Sequence, residues 1–254
     1  PRCMIKPTPA PKQSLHQKRN LTMIKVITFD LDDTLWAIIP VIEKANQRML
    51  EWMQLNTPKF SQTYDDDGIN QLRDEVMANN PHLMHDLSQI RVALIQLGLS
   101  RCGYDKAHEL AQQAFKVYFA ARNDVELFAG TQIQLSALKQ KYQIGALTNG
   151  NADLAQVGID HLFDFYFNSA QIGVSKPHPD FFARAFEHTG FSGQSFIHIG
   201  DHPEHDIAGA QAAGMRTIWM NPEQRAWPNG QARPCAEIQH LDQLSAAVAT
   251  IDAN

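Results

Sequence analysis

The sequence predicts an α/β fold, in which a doubly wound parallel sheet carries an all-helical module inserted after its first strand. Short apolar runs alternate with helical patterns in the second half of the chain, as in parallel sheets covered by helices. Residues 39–122 show helical periodicity without a strand pattern. Polar residues follow the ends of the predicted strands, where such sheets bind ligands. We therefore expect an α/β core from residues 23–38 and 123–254 and a helical cap from residues 39–122.

Length and composition restrict the class of protein. The 254 residues suffice for one domain with a smaller module, and the net charge of −5 does not favour nucleic acid as a partner. Cys3, Cys102 and Cys235 lie too far apart for a disulfide framework or a metal motif, which suggests a reducing, cytoplasmic setting. No apolar run approaches the roughly 18 residues of a membrane helix, so we expect no membrane partner.

Residues 1–22 differ from the rest, because they contain four prolines, several basic residues and no acidic residue. They lack the apolar segment of a secretory signal. We expect a disordered extension, with Met23 immediately before the first strand. A start-site artefact, a basic arm that contacts nucleic acid and an organellar presequence are the alternatives.

The elements follow from the spacing of apolar residues. A strand at 24–29 precedes four cap helices, the third of which should begin after Pro81 and end near Gly98. These helices carry Val41, Ala45, Met49 and Trp52; Ile69, Leu72 and Val76; Leu83, Leu87, Ile90, Leu94 and Leu97; and Leu110, Ala114, Phe115 and Tyr118. In the core, we expect strands at 144–148, 163–167, 195–199 and 217–220 and helices around 135–138, 181–188 and 207–213. The acidic run 65–67 begins a cap helix, where it suits the helix dipole better than it suggests a metal site.

Three carboxylates, Asp30, Asp32 and Asp33, follow the first strand. Acidic groups placed so closely repel one another and resist burial, which is explained if a cation lies among them. A solvated acidic turn is the alternative reading of this stretch alone.

The ends of the other strands supply complementary groups. These are Thr148, Asn149, Lys176, Asp201 and Asp206. A carboxylate can attack phosphorus and form an aspartyl-phosphate, while Mg²⁺ and an ammonium group offset the repulsion between anions. A second acid can protonate the leaving group and then activate water. The set therefore indicates phosphoryl transfer.

Four motifs occur in order and together resemble the haloacid dehalogenase superfamily, in its phosphatase branch with a helical C1-type cap. They are Asp-Leu-Asp-Asp-Thr at 30–34, Leu-Thr-Asn-Gly at 147–150, Lys176 in Ser-Lys-Pro-His-Pro, and Gly-Asp-His-Pro-Glu-His-Asp at 200–206. The resemblance covers about residues 23–222 and implies a Rossmann-like core.

The resemblance also implies a role for each site residue. Asp30 would be the nucleophile and a magnesium ligand, and Asp32 the general acid and base, with its backbone carbonyl on the metal. Asp201 and Asp206 would complete the metal site. Thr148, Asn149 and Lys176 would form the substrate-binding set, in which Lys176 also balances the charge of Asp30. Within it, we expect Asn149, like Thr34, to support the loops, and Asp33 to be a turn residue only.

Some of these residues have alternative interpretations. Asp206 could simply cap a helix that begins near Ile207. His178, His202 and His205 could suggest zinc, although an oxygen-lined site suits magnesium better. His198 lies on a predicted buried strand, where we expect a packed histidine.

We accordingly expect a magnesium-dependent phosphatase that hydrolyses a small phosphorylated metabolite; the oligomeric state is left unassigned. Dehalogenases of the superfamily lack the second acid of the first motif, so Asp32 argues against that activity. A sugar phosphomutase and a non-catalytic phospholigand-binding protein remain open.

Substrate choice should depend on the cap, which is expected to close over the site. The candidates are Trp36, His82, His85, Asp86 and Arg91. Segments 85–91, 148–152 and 219–223 are similar to bacterial phosphatases that act on flavin mononucleotide and on 5-amino-6-(5-phospho-ribitylamino)uracil. This similarity makes these two phosphate esters our substrate hypothesis.

Overall fold

A six-stranded parallel sheet forms the centre of the protein. The computed structural model describes residues 23–228, 230 and 232–253, so the predicted disorder of residues 1–22 lies outside the described residues. The strands are β1 (Val26–Phe29), β2 (Gln143–Thr148), β3 (Phe165–Asn168), β4 (Phe196–Gly200), β5 (Arg216–Met220) and β6 (Ala236–Ile238). They are arranged in the order β3-β2-β1-β4-β5-β6, and every pairing is parallel. The predicted fold class is confirmed.

Eleven α-helices accompany the sheet in the part of the chain that the structure describes. Five follow β1 and form the cap: α1 (Ile38–Asn56), α2 (Pro58–Thr63), α3 (Asp66–Asn79), α4 (Leu87–Arg101) and α5 (Ala107–Arg122). The other six belong to the core: α6 (Thr131–Lys139), α7 (Leu154–Val157), α8 (Ser169–Ile172), α9 (Pro179–Thr189), α10 (Gly209–Ala212) and α11 (Leu244–Asp252). None of the helices formed by the described residues has both the length and the hydropathy needed to span a bilayer.

The two faces of the sheet are covered by different helices because successive strand residues point in opposite directions. On β1, Val26 belongs to the cluster that contains Phe182 of α9. Its neighbour Ile27 belongs to the cluster that contains Leu135 of α6 and Val248 of α11. The cap helices have a separate apolar cluster of their own. The sheet is therefore doubly wound, and the cap carries its own core.

Several predicted boundaries were wrong because tertiary packing overrides local signals. Helix α4 begins at Leu87, after a separate 3₁₀ turn at Pro81–Leu83, and continues through Gly98 to Arg101. Gly98 does not end the helix, because its missing side chain makes room for the ring of Phe60.

In the core, β3 starts two residues later than expected. A π-helical segment, Pro203–Ala208, precedes α10 where a single helix was predicted. Strand β6 and helix α11 were not predicted. The acidic run at 65–67 does begin helix α3, with the Asp65 side chain accepting a hydrogen bond from the Gly68 N–H.

Candidate active site

The sheet topology brings the predicted polar residues to one edge. Strand β1 lies between β2 and β4, because the chain passes from β1 through β2 to β3 on one side and then crosses back to β4 on the other. This reversal creates a crevice outside the carboxyl ends of the central strands. Asp30 follows β1, Thr148 ends β2 and Asp201 follows β4. The backbone N–H of Asp30 donates to the Ile199 carbonyl (2.8 Å), which joins the ends of β1 and β4.

Three carboxylates converge in this crevice. One oxygen each of Asp30, Asp201 and Asp206 lies within 4.8 Å of the other two, a spacing at which they could share a metal ion. Asp30 and Asp206 are buried, and Asp201 is partly exposed. Among the described residues, no other group of three or more histidine, cysteine or acidic side chains has this spacing. Because the donors are all carboxylate oxygens, the set fits a hard divalent cation such as Mg²⁺.

Lys176 lies between two of these carboxylates. Its Nζ donates to Asp30 Oδ1 (2.8 Å) and to Asp206 Oδ1 (2.6 Å). A third bond runs to the Leu147 carbonyl (2.7 Å). The side chain is 2% exposed, so all three donors of the ammonium are satisfied inside the protein.

Burial and mutual repulsion leave the acidic cluster short of positive charge. Burial raises the pKa of Asp30 to about 8, against the opposing effect of Lys176 and with further contributions from Asp206 and Asp32. Burial, with Asp206 and Asp33, raises the pKa of Asp201 to about 7. Lys176 alone therefore does not balance the cluster, and a divalent cation at the three carboxylates would.

Asp206 has the opposite electrostatic environment. Although burial acts against its charge, Lys176 and His198 outweigh that effect, and its pKa is held well below the usual range. Its Oδ2 accepts the His202 N–H (2.9 Å), and its Oδ1 lies 3.3 Å from His198 Nε2. The helix-capping interpretation of Asp206 was wrong, because the side chain of His202 caps this segment.

His198 is the buried histidine that the sequence predicted, but it has polar partners on both sides. Its Nδ1 lies 2.9 Å from Thr28 Oγ1, and its Nε2 faces Asp206. Burial lowers the pKa of His198. Gly200 allows the carboxylate of Asp206 to come close, because a Cβ at that position would lie 2.3 Å from the Asp206 Cγ.

Thr148 and Asn149 occupy the loop after β2. The Thr148 hydroxyl accepts the Gly150 N–H (3.0 Å). The Asn149 side chain accepts from the Lys176 N–H (2.8 Å) and donates to the Lys176 carbonyl (3.0 Å). Asn149 thus contacts both polar groups of the Lys176 main chain and holds the lysine in place.

Asp32 is not one of the three clustered carboxylates, and it is held by a residue that the sequence analysis missed. Arg122 Nη2 lies 2.7 Å from both carboxylate oxygens of Asp32, and Trp36 Nε1 donates to Oδ1 (2.9 Å). Burial raises the pKa of Asp32, and Arg122 acts in the opposite direction.

The sequence did contain a signal for Arg122. It follows Ala111, Ala114 and Tyr118 at helical spacing on the buried face of α5. A charged residue in such a position needs a buried partner.

Other predicted residues have structural contacts. Asp33 has a positive φ of 56°, as expected of a turn residue, and its Oδ1 also accepts the Ile38 N–H at the start of α1. Asp201 is approached by Arg225, whose Nη2 lies 3.5 Å from Oδ2, a contact beyond the predicted motifs. The rings of His202 and His205 stack at 4.0 Å, and His178 caps α9. None of these three histidines belongs to the group of side chains that is spaced to share a metal ion.

A cavity of about 470 Å³ lies between cap and core, next to Asp32. Its wall is mainly apolar, with three guanidinium groups and a tyrosine. The lining includes Ile38, Ile42, Met77, Met84, Leu87, Ile90, Leu94, Arg73, Arg91, Tyr118 and Arg122. Arg91 lies over the Tyr118 ring at 3.7 Å and donates to Asn46 Oδ1 (3.0 Å).

The remaining cap candidates lie outside the lining of this cavity. Asp86 caps α4, and His82 is exposed. His85 Nδ1 lies 2.8 Å from Ser175 Oγ, which joins the cap to the loop before Lys176. Trp36 contacts Asp32 instead.

Comparison with known proteins identifies similar hydrolases. A family model described as haloacid dehalogenase-like hydrolase matches residues 24–214. The chain is 29% identical over 239 residues to 5-amino-6-(5-phospho-D-ribitylamino)uracil phosphatase YigB of Escherichia coli (strain K12), covering 91% of this chain and 98% of the relative. It is 32% identical over 206 residues to glyceraldehyde 3-phosphate phosphatase of Pyrococcus abyssi (strain GE5 / Orsay), covering 78% and 82%.

A solved structure is also similar. The crystal structure of 2-haloacid dehalogenase from Pseudomonas syringae pv. Tomato DC3000 has a TM-score of 0.87 and 36% sequence identity, with 90% of this chain and 99% of that chain covered. The family match includes the cap as well as the strands that carry Asp30, Thr148 and Asp201.

Proposed function

The chain belongs to the haloacid dehalogenase-like hydrolases, and from that premise we propose that it is a magnesium-dependent phosphatase of a small phosphorylated metabolite. The observation that carries the proposal is the convergence of Asp30, Asp201 and Asp206 around Lys176. Three carboxylates and one ammonium in a buried crevice would hold a divalent cation and would accept a phosphate dianion only in its presence.

Asp30 is the proposed nucleophile. One of its oxygens attacks phosphorus, the bond to the leaving oxygen breaks, and an aspartyl-phosphate forms. Lys176 Nζ, 2.8 Å from Asp30 Oδ1, favours the charged form of the carboxylate. Because the other Lys176 donors are engaged by Asp206 and Leu147, a direct contact with phosphate requires exchange of one of those bonds.

Asp32 is the proposed acid and base. It gives a proton to the leaving oxygen in the first step and takes one from the attacking water in the second. Thr148 and backbone N–H groups of the loop after β2 would orient the phosphoryl oxygens, and Asn149 would hold Lys176 in position. Mg²⁺ bound by Asp30, Asp201, Asp206 and the Asp32 carbonyl would supply the positive charge that brings the two anions together.

The cavity between cap and core would accommodate the leaving group. Its apolar wall suits a ring system, and Arg91 is a donor for oxygen acceptors on such a ring. These features favour flavin mononucleotide or the riboflavin precursor phosphate; the Escherichia coli relative is named as a phosphatase of the second of these esters. A three-carbon ester such as glyceraldehyde 3-phosphate would leave most of the cavity to water.

A dehalogenase activity is the second candidate, because the similar crystal structure is described as a 2-haloacid dehalogenase. An aspartate nucleophile alone would serve that reaction. The acid Asp32 and the three-carboxylate cluster are then without use, which favours the phosphatase.

The test is release of inorganic phosphate from a panel of esters, with and without Mg²⁺, by the wild type and by Asp30→Asn. We expect turnover that requires Mg²⁺ and is lost in the variant, with flavin mononucleotide preferred to glyceraldehyde 3-phosphate. Equal turnover by both proteins would refute the mechanism. Halide release from a 2-haloacid without phosphate release would support the dehalogenase.

Two further outcomes would identify the alternatives on this fold. Retention of labelled phosphate on a bisphosphorylated sugar would indicate a phosphomutase. Binding of phosphate esters without turnover would indicate a phospholigand-binding protein.

A further inference from the structure

The chain crosses between core and cap twice, and the two crossings contact each other. The first contains Leu35 and Trp36 before α1, and the second follows Arg122 at the end of α5. The Phe128 N–H donates to the Leu35 carbonyl (2.8 Å), and Trp36 forms an isolated antiparallel bridge with Leu127. The two linkers are therefore hydrogen-bonded to each other at the base of the cap.

The first linker and the last residue of α5 each supply one donor to Asp32. The indole N–H of Trp36 bonds Oδ1, and Nη2 of Arg122 lies 2.7 Å from both oxygens. Trp36 is fully buried and the Arg122 side chain is 1% exposed, whereas the Asp32 side chain is 21% exposed. Asp32 is thus held by buried donors from two segments and retains an open side at the cavity.

Burying the guanidinium of Arg122 costs free energy that a merely structural contact would not require. Burying a guanidinium is unfavourable by several kcal/mol unless its donors are well paired. Its Nη1 is buried and has no hydrogen-bond partner among the described residues. The carboxylate of Asp32 is the acidic group with which it forms an ion pair. A purely apolar residue at this position of α5 would continue the face formed by Ala114 and Tyr118.

We propose that Arg122, together with Trp36, is a positioning residue that aims Asp32 at the leaving-group oxygen. The inference depends on the proposed phosphatase function. As Asp30 bonds to phosphorus, the bond to the leaving oxygen breaks and that oxygen receives the proton of Asp32. In the second step, water bonds to phosphorus, the Asp30–phosphorus bond breaks, and the proton of water returns to Asp32. Arg122 neither gains nor loses a proton and acts only through the position of the carboxylate.

This role should depend on the leaving group. An alkoxide is a poor leaving group and needs a proton as it departs, whereas p-nitrophenolate leaves readily without one. A correctly placed general acid contributes roughly 10²–10⁴-fold where a proton is needed. Loss of Arg122 should therefore reduce turnover of alkyl phosphates far more than turnover of p-nitrophenyl phosphate.

The experiment compares kcat for p-nitrophenyl phosphate, phenyl phosphate and an alkyl phosphate in the full chain with saturating Mg²⁺. For Arg122→Met, we expect a loss of about 10²-fold or more for the alkyl ester and less than about 10-fold for the p-nitrophenyl ester. Trp36→Phe should show the same pattern with smaller losses. Arg122→Lys should recover part of the alkyl activity, because it keeps a cation near Asp32.

Two comparisons exclude a general structural effect. Arg73→Met removes another guanidinium of the same cavity that makes no ion pair with Asp32, and it should not increase the ratio of p-nitrophenyl to alkyl kcat. In a double-mutant cycle, Arg122→Met should add little to the effect of Asp32→Asn on the alkyl ester. Equal losses for all three esters, or additive effects in the cycle, would overturn the proposal.

The experiment distinguishes failure of this proposal from failure of the proposed phosphatase function. If the wild type releases no phosphate from p-nitrophenyl phosphate, or Asp30→Asn is equally active, the phosphatase proposal fails and this one with it. If the wild type and Asp30→Asn behave as proposed but the leaving-group pattern is absent, only the role of Arg122 is refuted. Should Arg122→Met fail to fold, Arg122→Lys and Trp36→Phe test the same pattern.

Discussion

Replacing the proposed nucleophile should make the metal-free protein more stable while it abolishes activity. Asp30 is buried, and its pKa is raised from 3.8 to about 8, mainly by burial. A carboxyl group with a raised pKa binds a proton more tightly in the folded state than in the unfolded state. The protonated Asp30 side chain therefore stabilises the folded state at low pH, and this contribution to the free energy of unfolding is lost as the pH rises from 3.8 towards 8.

The magnitude follows from the size of the shift. Each pH unit between the two pKa values costs about 1.4 kcal/mol, so the cost reaches about 4 kcal/mol at pH 7. Asparagine has the shape of the carboxyl group without its charge, but it gives up the charge-assisted bond from Lys176. For Asp30→Asn, we expect the free energy of unfolding at pH 7 in EDTA to rise by about 2–4 kcal/mol.

The assay is urea unfolding of wild type and variant from pH 4 to pH 8, with Asp105→Asn, an exposed position of the cap, as the control. The variant's advantage should be small at pH 4 and increase with pH. Saturating Mg²⁺ should remove it, because a ligand present at 100 times its dissociation constant stabilises the wild type by about 2.7 kcal/mol. A difference that is absent at pH 7, or constant over the pH range, would refute the reasoning.

Two further predictions concern residues that support the site. Gly200→Ala would place a Cβ 2.3 Å from the Asp206 Cγ, so we expect a loss of about 1–3 kcal/mol in unfolding free energy and at least a tenfold weaker Mg²⁺ affinity by calorimetry. Unchanged Mg²⁺ binding would contradict this. Asn149→Ala removes both side-chain contacts to the Lys176 main chain and should cost about 2 kcal/mol and lower kcat for p-nitrophenyl phosphate about tenfold. A variant with wild-type kcat would show that Lys176 does not need this support.

The different pKa values of the three clustered carboxyl groups connect these predictions. Asp30 and Asp201 have raised pKa values, whereas Asp206 has a lowered one because Lys176 and His198 both favour its charge. One carboxylate of the cluster is therefore balanced inside the protein and two are not. Because of this imbalance, we expect the stability of the folded state to depend on pH and on a bound cation.

The fold class and the composition of the site were determined by the sequence itself. Both depend on local information: alternation of apolar residues predicts strands, and parallel strands place the residues that follow them at one edge. Asp30, Thr148 and Asp201 could be found in this way, because each follows or ends a strand. Elements with weak local patterns, such as β6 with three residues, were missed.

The tertiary structure alone determined which groups touch. Arg122 and Asp32 are 90 positions apart, and Lys176 and Asp30 are 146 apart. No local pattern encodes such pairs, since they depend on how the cap and the core pack together. The continuation of α4 through Gly98 has the same cause, because contact with Phe60 outweighs the low helix propensity of glycine. Local patterns thus predicted most of the elements and the residue types of the candidate site, while packing between distant segments set the distances and the electrostatic environment of each group.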